Sequence, residues 1–172
     1  MSRLGRFAAV VLVAVVVGAC GSADSSDRRS VSEHFEDARV DVEVHLERDE
    51  AALVIVATFR PTSSDLHLYG AGLPRDGIDG AGRPTRIDVV DTGWRTVGPL
   101  SDEPKAALLP VAGFVVPFPT YPEGPVTLRQ AIASSGARAD HAVDVQVTFM
   151  ACSSAGLCYK PEIGHPMVVP AP

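Results

Sequence analysis

Two thiols near the C-terminus, Cys152 and Cys158, give this chain its clearest capacity for covalent chemistry. They lie in the stretch Val147-Thr-Phe-Met-Ala-Cys-Ser-Ser-Ala-Gly-Leu-Cys-Tyr-Lys-Pro161, with five residues between them. Ser153, Ser154 and Gly156 suit a tight reversal, so the flanking runs can become neighbouring antiparallel strands with the sulfurs facing each other. Directly opposed strand residues have Cα separations of about 4.5 to 5.5 Å, a span a disulfide can bridge. Such a bridge can staple a fold, or it can open and close in thiol–disulfide exchange. Closing so short a loop stabilises by roughly 2 to 3 kcal/mol, and a domain of this size does not need that help to fold. Stability alone is therefore a weak reason for the pair.

The setting of the pair follows from the N-terminus. Arg3 and Arg6 precede the apolar run Phe7 to Val17, and Gly18-Ala19-Cys20 follows it. Charge, a short apolar core and small residues read as an export signal, too short for a comfortable membrane span. The ending resembles the bacterial lipobox, in which the cysteine becomes the first mature residue and carries acyl chains, so residues 1–19 read as a signal peptide and Cys20 as the lipidation site. Of three cysteines, that leaves Cys152 and Cys158 as an even pair, in a compartment where disulfides persist. The formal charge of −6 becomes −8 once the two signal arginines are lost, which argues against nucleic acid as a partner. The expected location is the outer face of the cytoplasmic membrane, held by lipid.

What must position the thiols reads as one all-β domain. Residues 20–38 are assigned to the lipidated cysteine and a flexible linker; its polar core from Gly21 to about Ser32 would let the domain stand roughly 20 Å off its anchor. The domain is assigned to 39–172. Val40 to Leu46 alternates apolar and polar residues, Arg48-Asp-Glu50 supplies a turn, and Ala52 to Phe59 completes a hairpin. Further strands are expected at Arg86–Val90, Gly113–Pro117, Pro125–Leu128 and Val143–Phe149, with a short helical turn possible over Leu128–Ser134. Fourteen prolines and fifteen glycines leave little room for long helices. These features fit a β-sandwich, with Val42, Val44, Val54, Val56, Val143, Val145 and Val147 pointing inward. The long segment Pro61–Pro84 begins with Leu66, Leu68 and Tyr69, which should rest on something.

Val143 to Pro161 resembles the active-site hairpin of the N-terminal, extracytoplasmic domain of the DsbD thiol:disulfide interchange protein. The matching residues are Val147, Thr148, Phe149, Cys152, Ala155, Gly156, Cys158, Tyr159 and Pro161. Leu66-His-Leu-Tyr-Gly70 resembles that family's loop over the cysteine pair. The resemblance implies an immunoglobulin-like β-sandwich with a long cap loop, and a pair that cycles between dithiol and disulfide. It implies that Cys158 forms the mixed disulfide and Cys152 resolves it. It further implies shielding by Leu66, His67, Leu68, Tyr69 and Gly70, partner contact through Tyr159 and Pro161, thioredoxin-fold partners, and a membrane thiol-electron transporter as electron source. His67 could raise the thiolate fraction as an imidazolium or accept a proton, and Lys160 could stabilise a thiolate or face water.

Two other readings stay open. A permanent bridge would leave a lipid-anchored binding or scaffold domain that meets a protein through its long loop and Phe114-Val-Val-Pro-Phe-Pro-Thr-Tyr-Pro122. Copper handling would use Met150, Cys152, Cys158, His165 and Met167, all acceptable to cuprous ion, although no tight ligand spacing supports it. No cofactor or resident metal is otherwise called for. The serines and histidines form no nucleophile motif, the glycines follow no phosphate-loop pattern, and Asp76, Asp79 and Asp88 read as loop and edge carboxylates.

Overall fold

A computed structural model describes residues 29–49, 52–136 and 141–171. The proposed signal segment and Cys20 lie outside the described residues. Every regular element among those described is a strand: β1 (Ser30–Phe35), β2 (Val40–Asp49), β3 (Ala52–Pro61), β4 (Leu66–Leu68), β5 (Arg86–Val89) and β6 (Trp94–Glu103), followed by β7 (Ala107–Leu109), β8 (Phe118–Thr120), β9 (Val126–Ser134), β10 (Val143–Phe149), β11 (Ala151–Ser153) and β12 (Glu162–Val169). No helix among the described residues is long and apolar enough to cross a membrane.

The expected sandwich is present. A five-stranded sheet in the order β1-β2-β3-β9-β6 faces a three-stranded sheet in the order β12-β10-β5, and all pairings are antiparallel. Alternation along β2 puts Val40, Val42, Val44 and Leu46 on the core face, and Val143, Val145 and Val147 of β10 meet them from the other layer. Phe149 locks the layers together, with ring centroids 5.2 Å from Phe35 and 5.6 Å from Phe59, both edge to face. Two ribbons, β4 with β11 and β7 with β8, lie outside these sheets.

The structure corrects several details. β1 occupies part of the stretch assigned to the linker, pairing from Ser30 with His45 to Phe35 with Val40, so the folded domain begins well before residue 39. Its Ser, Glu and His residues carry little strand propensity; backbone pairing to β2 holds it. Val54 and Val56 are buried, but the central cluster takes Leu53, Ile55, Ala57 and Phe59 from β3 instead. The ladder sets Val54 opposite Glu47 and Ala131, and Val56 opposite His45 and Arg129. In an all-apolar run the turn, not the pattern, decides which parity faces inward. Leu128–Ser134 is strand rather than helical turn, because it lies between β3 and β6. The strand expected at Gly113–Pro117 is displaced to Phe118–Thr120, leaving those five residues outside any strand.

Candidate functional site

The cysteine hairpin grows directly out of the sandwich. β10 carries the chain from the core to Met150, and β11 then pairs with β4, setting Cys152 opposite His67 and Ala151 opposite Leu68. The chain reverses over Ser153–Leu157. The Ser153 amide donates to the Leu157 carbonyl at 2.7 Å, the Gly156 amide donates to the Ser153 carbonyl at 2.9 Å, and Ser153 Oγ accepts from the Leu157 amide at 3.1 Å. Gly156 takes φ +87°, a conformation that a side chain disfavours. The reversal brings Cys158 across from Cys152 in an antiparallel bridge, with Cα atoms 4.0 Å apart and the sulfurs joined as a disulfide.

The two sulfurs sit in different surroundings. Cys152 is 2% exposed and belongs to a small apolar cluster with Tyr69, Leu73 and Phe118. Cys158 is exposed and stands where two grooves meet. The first, about 450 Å³, is walled by Phe114, Phe118, Met150, Arg83 and Pro161. The second, about 400 Å³, is walled by His67, Thr120, Ser153 and Ser154. Tyr69, Val111, Ala112 and Gly156 border both. Beyond them the surface is apolar, with Leu157 at 61% and Val115 at 101% exposure.

Leu66 to Gly70 is a strand edge more than a loop. Leu66 and Leu68 are fully buried, so they anchor β4 and do not reach over the sulfurs. Tyr69 does: its hydroxyl lies 3.5 Å from Cys152 Sγ and 4.0 Å from Cys158 Sγ. His67 is partly buried, with its ring centroid 5.9 Å from that of Tyr69. Burial holds its pKa below the usual 6.5, partly offset by Glu123, so at neutral pH the ring is an uncharged proton acceptor rather than an imidazolium. Gly70 allows a close approach: a Cβ there would stand 2.7 Å from Ala106 Cβ, and its amide donates to the Pro119 carbonyl at 2.7 Å.

A buried tether fixes the chain just beyond Gly70. The Ala71 amide donates to Tyr121 Oη at 3.2 Å, and that hydroxyl donates to Asp102 Oδ2 at 2.9 Å. Burial and the Asp102 carboxylate together hold the Tyr121 hydroxyl protonated far above the usual tyrosine range. Burial pushes Asp102 up as well, yet hydrogen bonds from Lys105 and Tyr121 outweigh it and leave the carboxyl below its usual value.

Other sequence-predicted residues fall elsewhere. Pro161 borders the wider groove with Cys158. Tyr159 turns instead to Arg39, whose guanidinium lies 5.9 Å from its ring centroid. Lys160 faces Asp37 across 3.7 Å at the exposed surface. Asp88 is an edge carboxylate paired with Arg75 and Arg86. The copper set does not converge: Met167 is in the main core, and His165 pairs with Glu33 at 2.6 Å and meets Phe35 edge to face, while Met150 packs against the second cluster with Cys152. What the sequence did not disclose is the overhang Val111–Phe114 from the β7–β8 ribbon. Its only signal was the proline-rich segment Phe114–Pro122, which begins at its last residue.

No protein-family model and no curated protein matches this chain. Solved structures do match, among them the crystal structure of the Neisseria meningitidis DsbD n-terminal domain in the reduced form. That likeness has a TM-score of 0.45 and 16% sequence identity, and covers 79% of this chain and 87% of that one.

Proposed function

We propose that this protein performs thiol–disulfide exchange outside the cytoplasm, with Cys158 as the sulfur that meets the partner and Cys152 as the sulfur that leaves and returns. The observation that carries this reading is the asymmetry of the pair: one sulfur is buried and the other is exposed at the junction of two grooves. Exchange requires a thiolate to approach one sulfur in line with the bond it breaks, and the exposed Cys158, which borders both grooves, offers the freer approach. A partner thiolate attacking Cys158 Sγ breaks the Cys152–Cys158 bond, and the electron pair leaves on Cys152. The partner's second thiolate then attacks its own sulfur in the mixed disulfide and releases Cys158. The partner dithiol is oxidised to a disulfide and gives up two protons, and the pair is reduced by two electrons and takes up two protons, so the exchange is balanced. Run in reverse, the same steps pass electrons onward.

The partners that suit this chemistry are thioredoxin-fold proteins, with a membrane thiol-electron transporter as the source of electrons. Lipidation at Cys20 would keep the domain beside such a transporter, on the outer face of the cytoplasmic membrane. Trapping tests the assignment. A Cys152→Ser protein should accumulate mixed disulfides through Cys158, and a Cys158→Ser protein should not. Equal, negligible trapping by both would leave a lipid-anchored binding domain with a structural bridge.

A further inference from the structure

We infer that the Tyr69 hydroxyl is the hydrogen-bond donor that stabilises the Cys152 thiolate when the bridge opens, which makes Tyr69 a catalytic residue of the exchange. The inference rests on the exchange reading. When the bond to Cys158 breaks, a negative charge appears on the side chain of a cysteine that is 2% exposed and clustered with Tyr69, Leu73 and Phe118. A thiolate that loses its water in apolar surroundings is penalised, and its parent thiol becomes harder to ionise. A donor already in place would offset that penalty as the charge develops.

Tyr69 is built for that position. Its hydroxyl stands within hydrogen-bond reach of both sulfurs, closer to the buried one. The ring is fixed between Phe118, at 5.5 Å between centroids, and His67, at 5.9 Å. Its carbonyl accepts from both the amide and Oγ1 of Thr85, at 3.0 and 2.7 Å, and the Gly70 amide is tied to Pro119. The donor therefore needs no rearrangement when the bond breaks. Burial also raises the Tyr69 pKa above its usual 10, so the phenol remains a donor across the physiological range.

Several other polar groups around the grooves already have partners of their own. Thr120 Oγ1 donates to the Phe118 carbonyl, and Ser153 Oγ accepts from the Leu157 amide inside the turn. Arg83 is the cation lining the wider groove, and its Nη1 serves the carbonyls of Asp76, Gly80 and Gly82. His67 faces Cys152 across the β4–β11 pair and is uncharged at neutral pH. In the reverse direction, when the Cys152 thiolate attacks a mixed disulfide on Cys158, the same hydrogen bond holds a larger share of thiolate ready. The gain in population exceeds the nucleophilicity lost as the thiol becomes more acidic, since reactivity falls by only about half as much on a logarithmic scale.

The test isolates Cys152 in a Cys158→Ala protein and follows its 13Cβ shift against pH, which separates it from any thiol at Cys20. Tyr69→Phe keeps the ring and removes the hydroxyl. It should raise the Cys152 pKa by about one unit, a tenfold loss of thiolate at neutral pH, the size expected of a hydrogen bond to a charged group. With both cysteines present, it should slow reduction by dithiothreitol about tenfold. In the Cys158→Ala protein with Tyr69 intact, the Tyr69 13Cζ shift should follow the Cys152 transition, a readout that does not depend on the Tyr69 variant folding well. An unmoved Cys152 pKa in a Tyr69→Phe protein of parental melting temperature overturns the inference. So does a 13Cζ shift blind to Cys152, or a pKa that responds to His67→Gln and not to Tyr69→Phe. If the pKa moves as stated while Cys152→Ser traps no partner, the hydrogen bond stands and the exchange reading falls.

Discussion

The main core and the cluster around Cys152 are built on opposite plans. The core lies between two sheets whose strands β2, β3, β9 and β10 run seven to ten residues, and its largest side chains, among them Phe59, Phe149, Ile55 and Leu128, are completely enclosed. The sulfur end hangs on four strands of three residues each, β4, β7, β8 and β11, and leaves Leu108, Leu157, Val115 and Val116 in water. Two-stranded ribbons of that length have little cooperativity of their own and borrow their order from what they touch. The division gives the protein a rigid platform and, on its edge, a reactive end where contacts can be exchanged at small cost.

Changes in the two regions should therefore have unequal consequences. The largest is expected from Phe149→Ala, which removes the ring bridging Phe35 and Phe59; about 3 to 5 kcal/mol of stability should be lost in urea unfolding. Val115→Ser at the sulfur end should change stability by no more than about 0.5 kcal/mol, and an effect approaching that of Phe149→Ala would erase the contrast. Reducing the Cys152–Cys158 bond comes next. It closes a short loop outside the main core cluster, so the dithiol protein should stay folded, losing roughly 2 to 3 kcal/mol and keeping its near-ultraviolet circular dichroism. Collapse of that signal on reduction would show the pair to be a staple for the whole domain.

Tyr121→Phe probes the seam between the regions. It leaves the Ala71 amide without its acceptor and Asp102 without one donor, so a loss of about 1 to 3 kcal/mol is expected, together with a raised Cys152 pKa in the Cys158→Ala protein as Tyr69 loses its fixed position. A stability loss without that rise would mean that the tether does not hold Tyr69 in place. The smallest effect concerns pH. Because burial lowers the folded-state pKa of His67, the unfolded chain takes up a proton that the folded chain resists as pH falls through 6.5. Stability should thus decline below that pH, and His67→Gln should flatten the decline; an unchanged slope would remove His67 as its source.

The same contrast explains what could be read in the sequence. β2, β3 and β10 announce themselves through period-two alternation or dense β-branched runs, because one face of each is sealed. β6 and β12 hide behind Gly98-Pro99 and Gly164-His-Pro166, punctuation that ordinarily ends a strand. β12 tolerates Pro166 because it lies at a sheet edge, paired with β10 alone. Leu128–Ser134 contains good helix formers, and only its position between two strands makes it extended. At the site, the cysteine hairpin and Tyr69 were legible as motifs. The parts that depend on tertiary placement were not: Leu66 and Leu68 turned inward, and Val111–Phe114 took the overhanging position, because that position depends on how the β7–β8 ribbon packs and no local pattern encodes it.

The most direct measurement is the redox state of the pair in living cells, read as mass shifts after thiol alkylation at the moment of lysis. A relay predicts a substantial dithiol fraction that becomes fully oxidised when the membrane source of electrons is removed. A pair found wholly oxidised under both conditions, and unmoved by mild dithiols in the purified protein, would contradict the account.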